Sequence, residues 1–347
     1  MAYSINAKDY FETYLYTPGG SGGHTNSSLN FQPDWVWFKL IGGTESHGLY
    51  DAVRGVTKRI KSNSDAGETT ESSGLTSFTS NGWVTGADGA SGSAGQNYVS
   101  WNWKAGGGQG SSNTDGSTNS LYTSASPNSG FSIVTYTGNG ANRTIGHGLG
   151  VAPKMIFTKQ YNGTRSWYVG ANSVGWGSEL YLNSTAGSAG SPTTFNSTAP
   201  TSSVFSIGSG SAANSNGETF VAYCFADIQG FSQIGRQYIG NANTNNGVFV
   251  YTGFKPAWVM IKKATGAANS WCIGDNKRSS SNTVLNYLLA DNSDVDETGS
   301  QERDFLSNGF KIRNSNNMLN TSGETYIFMA FAEQPFVTSS GVPTTAR

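Results

Sequence analysis

The chain has 347 residues, a formal net charge of −1 and only 12% charged side chains. Without a basic stripe to follow a phosphate backbone, this composition argues against nucleic acid as a partner. Aromatic residues make up 12% of the chain and glycine contributes 46 residues, which is unlike a disordered chain and typical of a β-protein with many turns. Because domains usually have about 100–200 residues, we expect two or three of them.

The two cysteines do not form a disulfide framework. Cys224 and Cys272 lie in apolar segments, where a free thiol acts as a small hydrophobic side chain. The first residues lack the basic and apolar order of a secretion signal, and no apolar run approaches the roughly 18 residues of a membrane helix. We therefore expect two buried free thiols in a protein made in the cytoplasm without a signal peptide.

A proline-led apolar strand occurs three times along the chain, at residues 31–39, 151–159 and 254–262. In each copy a lysine follows the proline after six residues, and the four residues before that lysine are apolar except for Thr158. Proline suits the first position of a strand, where no ladder donor is needed. A nearly continuous apolar run indicates a strand that is covered on both faces.

Three further landmarks follow each of these strands in the same order. The first starts a return strand, at Ser46-His47, Ser166-Trp167 and Ser270-Trp271. The second is a turn that begins at Asn63, Asn183 and Asn292, because asparagine closes local turns with its own side chain. The third is a closing apolar strand, at residues 97–103, 219–225 and 325–331.

The repeated order predicts an all-β chain of three tandem antiparallel β-sandwich repeats, jelly-roll-like in character. The predicted boundaries are a first repeat at 1–105, a Gly/Ser/Asn-rich linker at 106–130, a second repeat at 131–230, a third at 231–337 and a tail at 338–347. Since the second and third repeats meet with almost no linker, we expect them to pack rigidly together. We expect the first repeat to be more independent.

Histidine is the usual base that activates a nucleophile, and the chain has only His24, His47 and His147. His47 takes the position that tryptophan occupies in the other two repeats. The run of residues 19–23 matches a Gly-x-Ser-x-Gly nucleophile pattern beside His24, but it lacks the strand, turn and helix that this pattern requires. We therefore predict no enzyme activity, no catalytic residue and no cofactor.

A group of acidic residues follows a short apolar strand in the third repeat, and it holds Asp291, Asp294, Asp296 and Glu297. We interpret it as a solvated turn, because carboxylates tend to stay exposed. A calcium site is the alternative, since calcium prefers several oxygen ligands. With Glu302 and Asp304 nearby, paired carboxylates for glycoside hydrolysis are a third reading.

One tryptophan has no counterpart in the other repeats. Trp176 lies between small residues in segment 173–178, whereas most other tryptophans fall in repeat landmarks and are expected in the core. An exposed loop tryptophan is suited to stacking on a sugar ring. Trp176 is therefore the candidate ligand contact.

Several segments resemble those of a known group of proteins. Residues 32–37, 145–154, 305–311 and 326–333 are similar to repeated β-domains in virion proteins of tailed bacteriophages, notably phages of marine or cyanobacterial hosts. The resemblance spans nearly the whole chain. It implies a virion protein that is made in the host cytoplasm, and it implies a homotrimer, as tail fibres usually are.

We expect a non-enzymatic structural protein of the virion, a tail fibre or tail-associated receptor-binding protein. Its partners would be other virion proteins and a host surface glycan or outer-membrane protein. A capsid decoration or head-fibre protein that binds the major capsid protein is the alternative, and a glycan depolymerase is a remote one. In the decoration reading the two ends of the chain would bind the capsid.

Overall fold

A computed structural model describes residues 6–333. The tail predicted at 338–347 lies outside the described residues. The described part is almost entirely strands and turns, with one 3-10 turn at Ala7–Asp9 and one short helix, α1, at Ser211–Asn214. All strand pairs are antiparallel, and the predicted all-β antiparallel fold is confirmed.

The first nine strands form what we call unit 1. They are β1 Phe11–Tyr16, β2 His24–Asn26, β3 Trp35–Leu40, β4 Gly48–Asp51, β5 Lys58–Arg59, β6 Thr69–Thr70, β7 Leu75–Thr79, β8 Gly82–Thr85 and β9 Tyr98–Trp103. They form sheets of order β1-β9-β3-β4, β2-β8-β7 and β5-β6.

Unit 2 also has nine strands. They are β10 Tyr122–Ser126, β11 Phe131–Thr137, β12 Arg143–Gly146, β13 Met155–Gln160, β14 Tyr168–Ala171, β15 Ser178–Tyr181, β16 Ala189–Gly190, β17 Val204–Ile207 and β18 Thr219–Phe225. Their sheets have the orders β10-β11-β18-β13-β14-β15-β16 and β12-β17. β10 lies within the segment whose composition indicated a linker.

Unit 3 has eight strands in one sheet. They are β19 Ser232–Ile239, β20 Phe249–Tyr251, β21 Pro256–Lys263, β22 Cys272–Asp275, β23 Val284–Leu289, β24 Glu297–Leu306, β25 Gly309–Ile312 and β26 Thr325–Ala332. The sheet order is β19-β26-β21-β22-β23-β24-β25-β20.

One strand order recurs in all three units: the first long strand, the last strand, the proline-led strand and its return strand. It reads β1-β9-β3-β4, β11-β18-β13-β14 and β19-β26-β21-β22. The three units are therefore related in their main sheets. That each one is a jelly-roll-like sandwich with the predicted boundaries stays a prediction.

The proline-led strands are buried on both faces, as their apolar runs predicted. In β3 the side chains of Val36 and Phe38 pack inside unit 1. Those of Trp35 and Trp37 point the other way, into a hydrophobic cluster that contains residues of all three units. Successive side chains of a strand point to opposite faces, so one run supplies two cores.

This second cluster, which we call the shared core, joins the units through aromatic contacts. The ring of Trp35 stacks on Tyr223 of unit 2 at 4.6 Å between centroids, and the ring of Trp103 meets Trp258 of unit 3 edge to face at 5.7 Å. Phe225 of unit 2 lies 6.4 Å from Phe331 of unit 3. The expectation that the first unit is the more independent one is therefore wrong.

The segment after unit 1 is held by one buried carboxylate. Asp34 is fully buried and accepts hydrogen bonds from the backbone N–H groups of Ala105, Gly107 and Gly108 at 2.7–2.9 Å. Gly107 and Gly108 have φ angles of +83° and +134°, which glycine adopts without steric cost. The glycines thus allow a tight wrap around Asp34, where their composition alone indicated a flexible linker.

The same polar contact closes each boundary between units. The residue after the landmark serine donates a ring N–H to a backbone carbonyl of another unit: Trp167 Nε1 to Lys61 of unit 1 and Trp271 Nε1 to Tyr181 of unit 2, both at 2.8 Å. His47 is 3.0 Å from the carbonyl of Leu289 of unit 3 through Nε2. Trp37 Nε1 donates to His47 Nδ1, so Nε2 carries the ring proton and donates in the way that the tryptophan ring N–H does in the other two units.

A second hydrogen bond of this ring residue shows which turn residues are equivalent in the three units. The backbone N–H of His47 donates to the side chain of Asn63, that of Trp167 to Asn183 and that of Trp271 to Asp291. The sequence alignment that placed Asn292 beside Asn63 and Asn183 was therefore wrong by one position. An aspartate accepts this hydrogen bond as well as an asparagine does, and matching asparagine with asparagine therefore selected Asn292 in place of Asp291.

The lysines of the three proline-led strands, Lys39, Lys159 and Lys262, are fully buried at these boundaries. Lys159 Nζ donates to the carbonyl of Asp65 in unit 1, and Lys262 Nζ donates to that of Ser184 in unit 2. Lys39 Nζ bonds the carbonyls of Leu40 and Gly43 in its own unit. Burial lowers the pKa of each of the three ammonium groups to about 8, because desolvation disfavours the charged form.

Candidate functional site

The predicted ligand contact is not on the surface. Trp176 is only 6% exposed, and its ring packs edge to face on Phe195 at 5.6 Å. The ring also covers Gly170, where a Cβ would lie 2.7 Å from its edge. The prediction of an exposed loop tryptophan is therefore wrong: the small residues around Trp176 let its ring turn inward, and we do not retain it as a ligand contact.

The structure gives each of the four acidic candidates a different partner. Asp291 accepts the N–H of Trp271, Asp294 accepts the amide of Asn292, Asp296 pairs with Arg278 and Glu297 accepts the hydroxyl of Tyr287. Within residues 6–333, no group of three or more His, Cys, Asp or Glu side chains is placed to hold a metal ion. These carboxylates are close in the sequence, but in the fold each binds a different partner and they do not form a common site.

The three histidines have structural contacts. His47 is fully buried, and burial lowers its pKa to about 3. His147 is also buried; its Nε2 lies 3.1 Å from the carbonyl of Thr201, and its Nδ1 accepts the N–H of Leu149. His24 lies 3.3 Å from the hydroxyl of Tyr14 through Nε2. Both thiols, Cys224 and Cys272, are free and buried, as predicted.

A recurring tyrosine fixes the register of the first long strand in every unit. Tyr16, Tyr136 and Tyr238 each stack on the aromatic ring of the neighbouring last strand at 5.0–5.4 Å. Each hydroxyl donates to a backbone carbonyl of the segment that precedes that strand, which is in helix α1 for Tyr136. The positions two residues before these tyrosines are therefore comparable between units, and they lie beside an opening.

We call this opening the gap: it lies between the first long strand of a unit and the following short strand. The strand pairs that border it are β1 and β2, β11 and β12, and β19 and β20. In the described part of the chain, no two strands of such a pair are hydrogen-bonded to each other. The gap exposes strand edges, which a protein must cover or use.

In unit 1 the gap is bridged by side chains. Tyr14 of β1 lies against His24 of β2 with their rings 5.9 Å apart and a contact between the hydroxyl and Nε2. His24 also stacks on Tyr16 at 4.7 Å. The rings therefore tie the two strands together.

In unit 2 the gap is filled by the chain itself. β10 pairs with β11 along five residues, and Thr118 forms a parallel bridge to Ile145 of β12. Ser117 exchanges hydrogen bonds with Thr144 at 2.8 and 2.9 Å. The segment before unit 2 therefore supplies the strand that closes this gap.

In unit 3 no segment of residues 6–333 occupies the gap. It forms a groove of about 330 Å³ between β19 and β20, with Phe328 of β26 at its base, and it is lined by Gln233, Arg236, Gln237, Tyr238, Phe249, Val250 and Tyr251. Phe249 is 43% exposed and Tyr251 is 61% exposed. Two exposed aromatic rings beside a strand edge are suited to binding, since aromatic residues supply much of the contact energy at interfaces.

The groove is electrically neutral. Among its lining residues only Arg236 carries a full charge, and its guanidinium forms an ion pair with Asp227 at 2.8 Å. Gln233 and Gln237 add amide groups that can both donate and accept hydrogen bonds. The groove thus offers apolar contact and neutral hydrogen bonding.

The sequence contained a weak signal for this groove. The first two units carry Thr25 and Thr144 on their short second strands, where unit 3 carries Phe249 in an alternation with Tyr251. Alternating exposed aromatics on a short edge strand are unusual for a solvated surface. Only the strand order shows that they border an opening.

Among helices of the described residues, none has the length and apolar character that a membrane crossing requires.

The model of a family described as a domain of unknown function (DUF7483) matches residues 6–335. The chain therefore belongs to the DUF7483 family. No curated protein and no solved structure matches the chain.

Proposed function

We propose that this member of the DUF7483 family is a non-enzymatic structural protein of a tailed-phage virion, at the tail, which contacts the host surface. Its partners would be other virion proteins and a host glycan or outer-membrane protein. The similarity of its repeat segments to phage virion β-domains supports the virion assignment.

The observation that carries the binding role is the open groove of unit 3. It presents Phe249 and Tyr251 on a unit that the shared core fixes to the other two. A rigid body loses little conformational entropy when it binds, so more of the contact energy appears as affinity. Capsid decoration, as the alternative, would use the ends of the chain.

The test is competition for adsorption. Purified chain, added to host cells before the particles, is expected to reduce particle adsorption at least tenfold at saturation. Tyr251→Ser in the groove is expected to remove this inhibition, because it deletes the most exposed ring. Tyr122→Ser, at a 41% exposed tyrosine of β10, is the matched control and should inhibit like the unchanged chain. Equal inhibition by both variants, or none by the unchanged chain, would refute the role of the groove.

A further inference from the structure

We propose that the groove of unit 3 binds an extended, uncharged polypeptide strand, which adds to the free edge of β19. This inference names the ligand class of the groove and rests on its proposed role as the contact surface. The chain itself shows the binding mode in unit 2, where a strand occupies the equivalent gap.

The occupied gap of unit 2 defines the geometry. Residues 117–126 lie between β11 and β12, pairing with one edge through β10 and bridging to the other at Ile145. The fit is close, because the Cβ that Gly148 lacks would meet Ala125 of this segment at 3.0 Å. A Cβ on Gly146 would likewise collide with the side chain of Asn113, which precedes the segment. An extended segment therefore fits this type of gap.

The edge of β19 is open at the corresponding positions. β19 has a strand partner on one side only among the described residues, namely β26. Tyr238 corresponds to Tyr136, so Gln237 corresponds to Thr135, whose carbonyl accepts the N–H of Leu121 in unit 2. Alternate residues of an antiparallel strand direct their N–H and C=O groups to opposite sides. Gln237 and Ile239 thus offer free backbone groups to an incoming strand.

The bulge in β19 sets the limit of this edge. Gly235 has a φ angle of +60°, and a Cβ there would lie 2.5 Å from the carbonyl oxygen of Lys154 in unit 2. Unit 2 therefore covers the edge at Gly235, and the open part begins at Arg236. Main-chain pairing along the four residues from there would give affinity, and the rings of Phe249 and Tyr251 would select the side chains, as in other cases of strand addition.

The charge of the groove matches such an occupant. Arg236 is neutralised by Asp227, and the segment that fills the gap of unit 2, residues 117–126, contains no charged side chain. A charged ligand would lose its hydration without gaining an opposite charge. The complementarity therefore favours an uncharged strand of small polar and apolar residues.

The test measures binding of two fluorescent peptides to the full chain by anisotropy: one with the sequence of residues 117–127, and one that alternates threonine and valine. At least one is expected to bind. Gln237→Pro is expected to weaken binding at least tenfold, because proline lacks the outward N–H but is tolerated on an edge strand. Gln237→Ala, which keeps the N–H, is the control and should bind within about twofold of the unchanged chain.

Two results would overturn the proposal: no binding of either peptide, or equal binding by Gln237→Pro and Gln237→Ala. If oligosaccharides bind instead and Tyr251→Ser removes that binding, the groove is a glycan site; strand addition then fails while the proposed contact role stands. If adsorption competition fails but the peptides bind as described, the strand site stands without the host-contact role.

Discussion

Trp103→Ala is expected to lower the free energy of unfolding by about 3–5 kcal/mol, the range for a large aromatic residue removed from a core. Trp103 is about 1% exposed and lies in the shared core. Its ring contacts Trp35 of its own unit at 4.6 Å, and Trp258 and Phe331 of unit 3 at 5.7 and 5.8 Å. The cavity would therefore open between units, and denaturant titration measures the loss.

The control for this variant is Trp83→Ala. Trp83 is also fully buried, but it packs in the cluster inside unit 1, so a similar loss of stability is expected. Hydrogen exchange separates the two variants: Trp103→Ala should lower the protection of β26 amides in unit 3, and Trp83→Ala should leave it unchanged. A Trp103→Ala chain that loses protection only in unit 1 would contradict the shared core.

Breaking the buried ion pair between Asp51 and Arg54 is expected to cost about 3–5 kcal/mol, because it leaves an uncompensated buried charge. Arg54 Nε lies 2.6 Å from Asp51, and both side chains are almost completely buried. Tyr223 of unit 2 also donates its hydroxyl to Asp51 at 2.6 Å. Arg54→Met is therefore expected to weaken both unit 1 and its contact with unit 2, as measured by denaturant titration.

Unit 2 supplies the matched control, since it has Ala171 and Val174 at the positions of this pair. The triple variant Asp51→Ala, Arg54→Val, Tyr223→Phe removes both charges and the hydroxyl together. It is expected to lose less stability than Arg54→Met alone, because the carboxylate of Asp51 is removed together with the guanidinium and is not left buried as an unpaired charge. The backbone N–H groups of Val53 and Arg54 lose Asp51 as their acceptor in this variant, so some loss relative to the unchanged chain is still expected. A triple variant that is less stable than Arg54→Met would show that the pair stabilises the fold beyond its own desolvation.

Local patterns in the sequence predicted the strands but not what covers them. The continuous apolar run Trp35-Val36-Trp37-Phe38 correctly indicated a strand with two buried faces. It could not identify the second covering layer, because this layer comes from residues about a hundred or more positions away, such as Tyr223 and Trp258. The apparent linker was misread for the same reason: its glycines are explained by a distant carboxylate, Asp34, and not by flexibility.

The candidate site was predicted poorly because the relevant signal is a difference between units. Trp176 stood out by composition, yet Gly170 leaves room for its ring to turn inward. Phe249 and Tyr251 are only a weak signal until the strand order shows that, among the described residues, the gap of unit 3 has no occupant where that of unit 2 has one. Whether a gap is open depends on whether another segment of the chain folds into it, and a local residue pattern does not show this.

Immunogold electron microscopy of intact particles tests the central claim most directly, using an antibody against this chain and particles from a lysate of cells that carry its coding sequence. The proposed function predicts gold at the tail or its appendages. Gold distributed over the head would contradict a host-contact role and favour capsid decoration, and particles without gold would contradict a place on the virion surface.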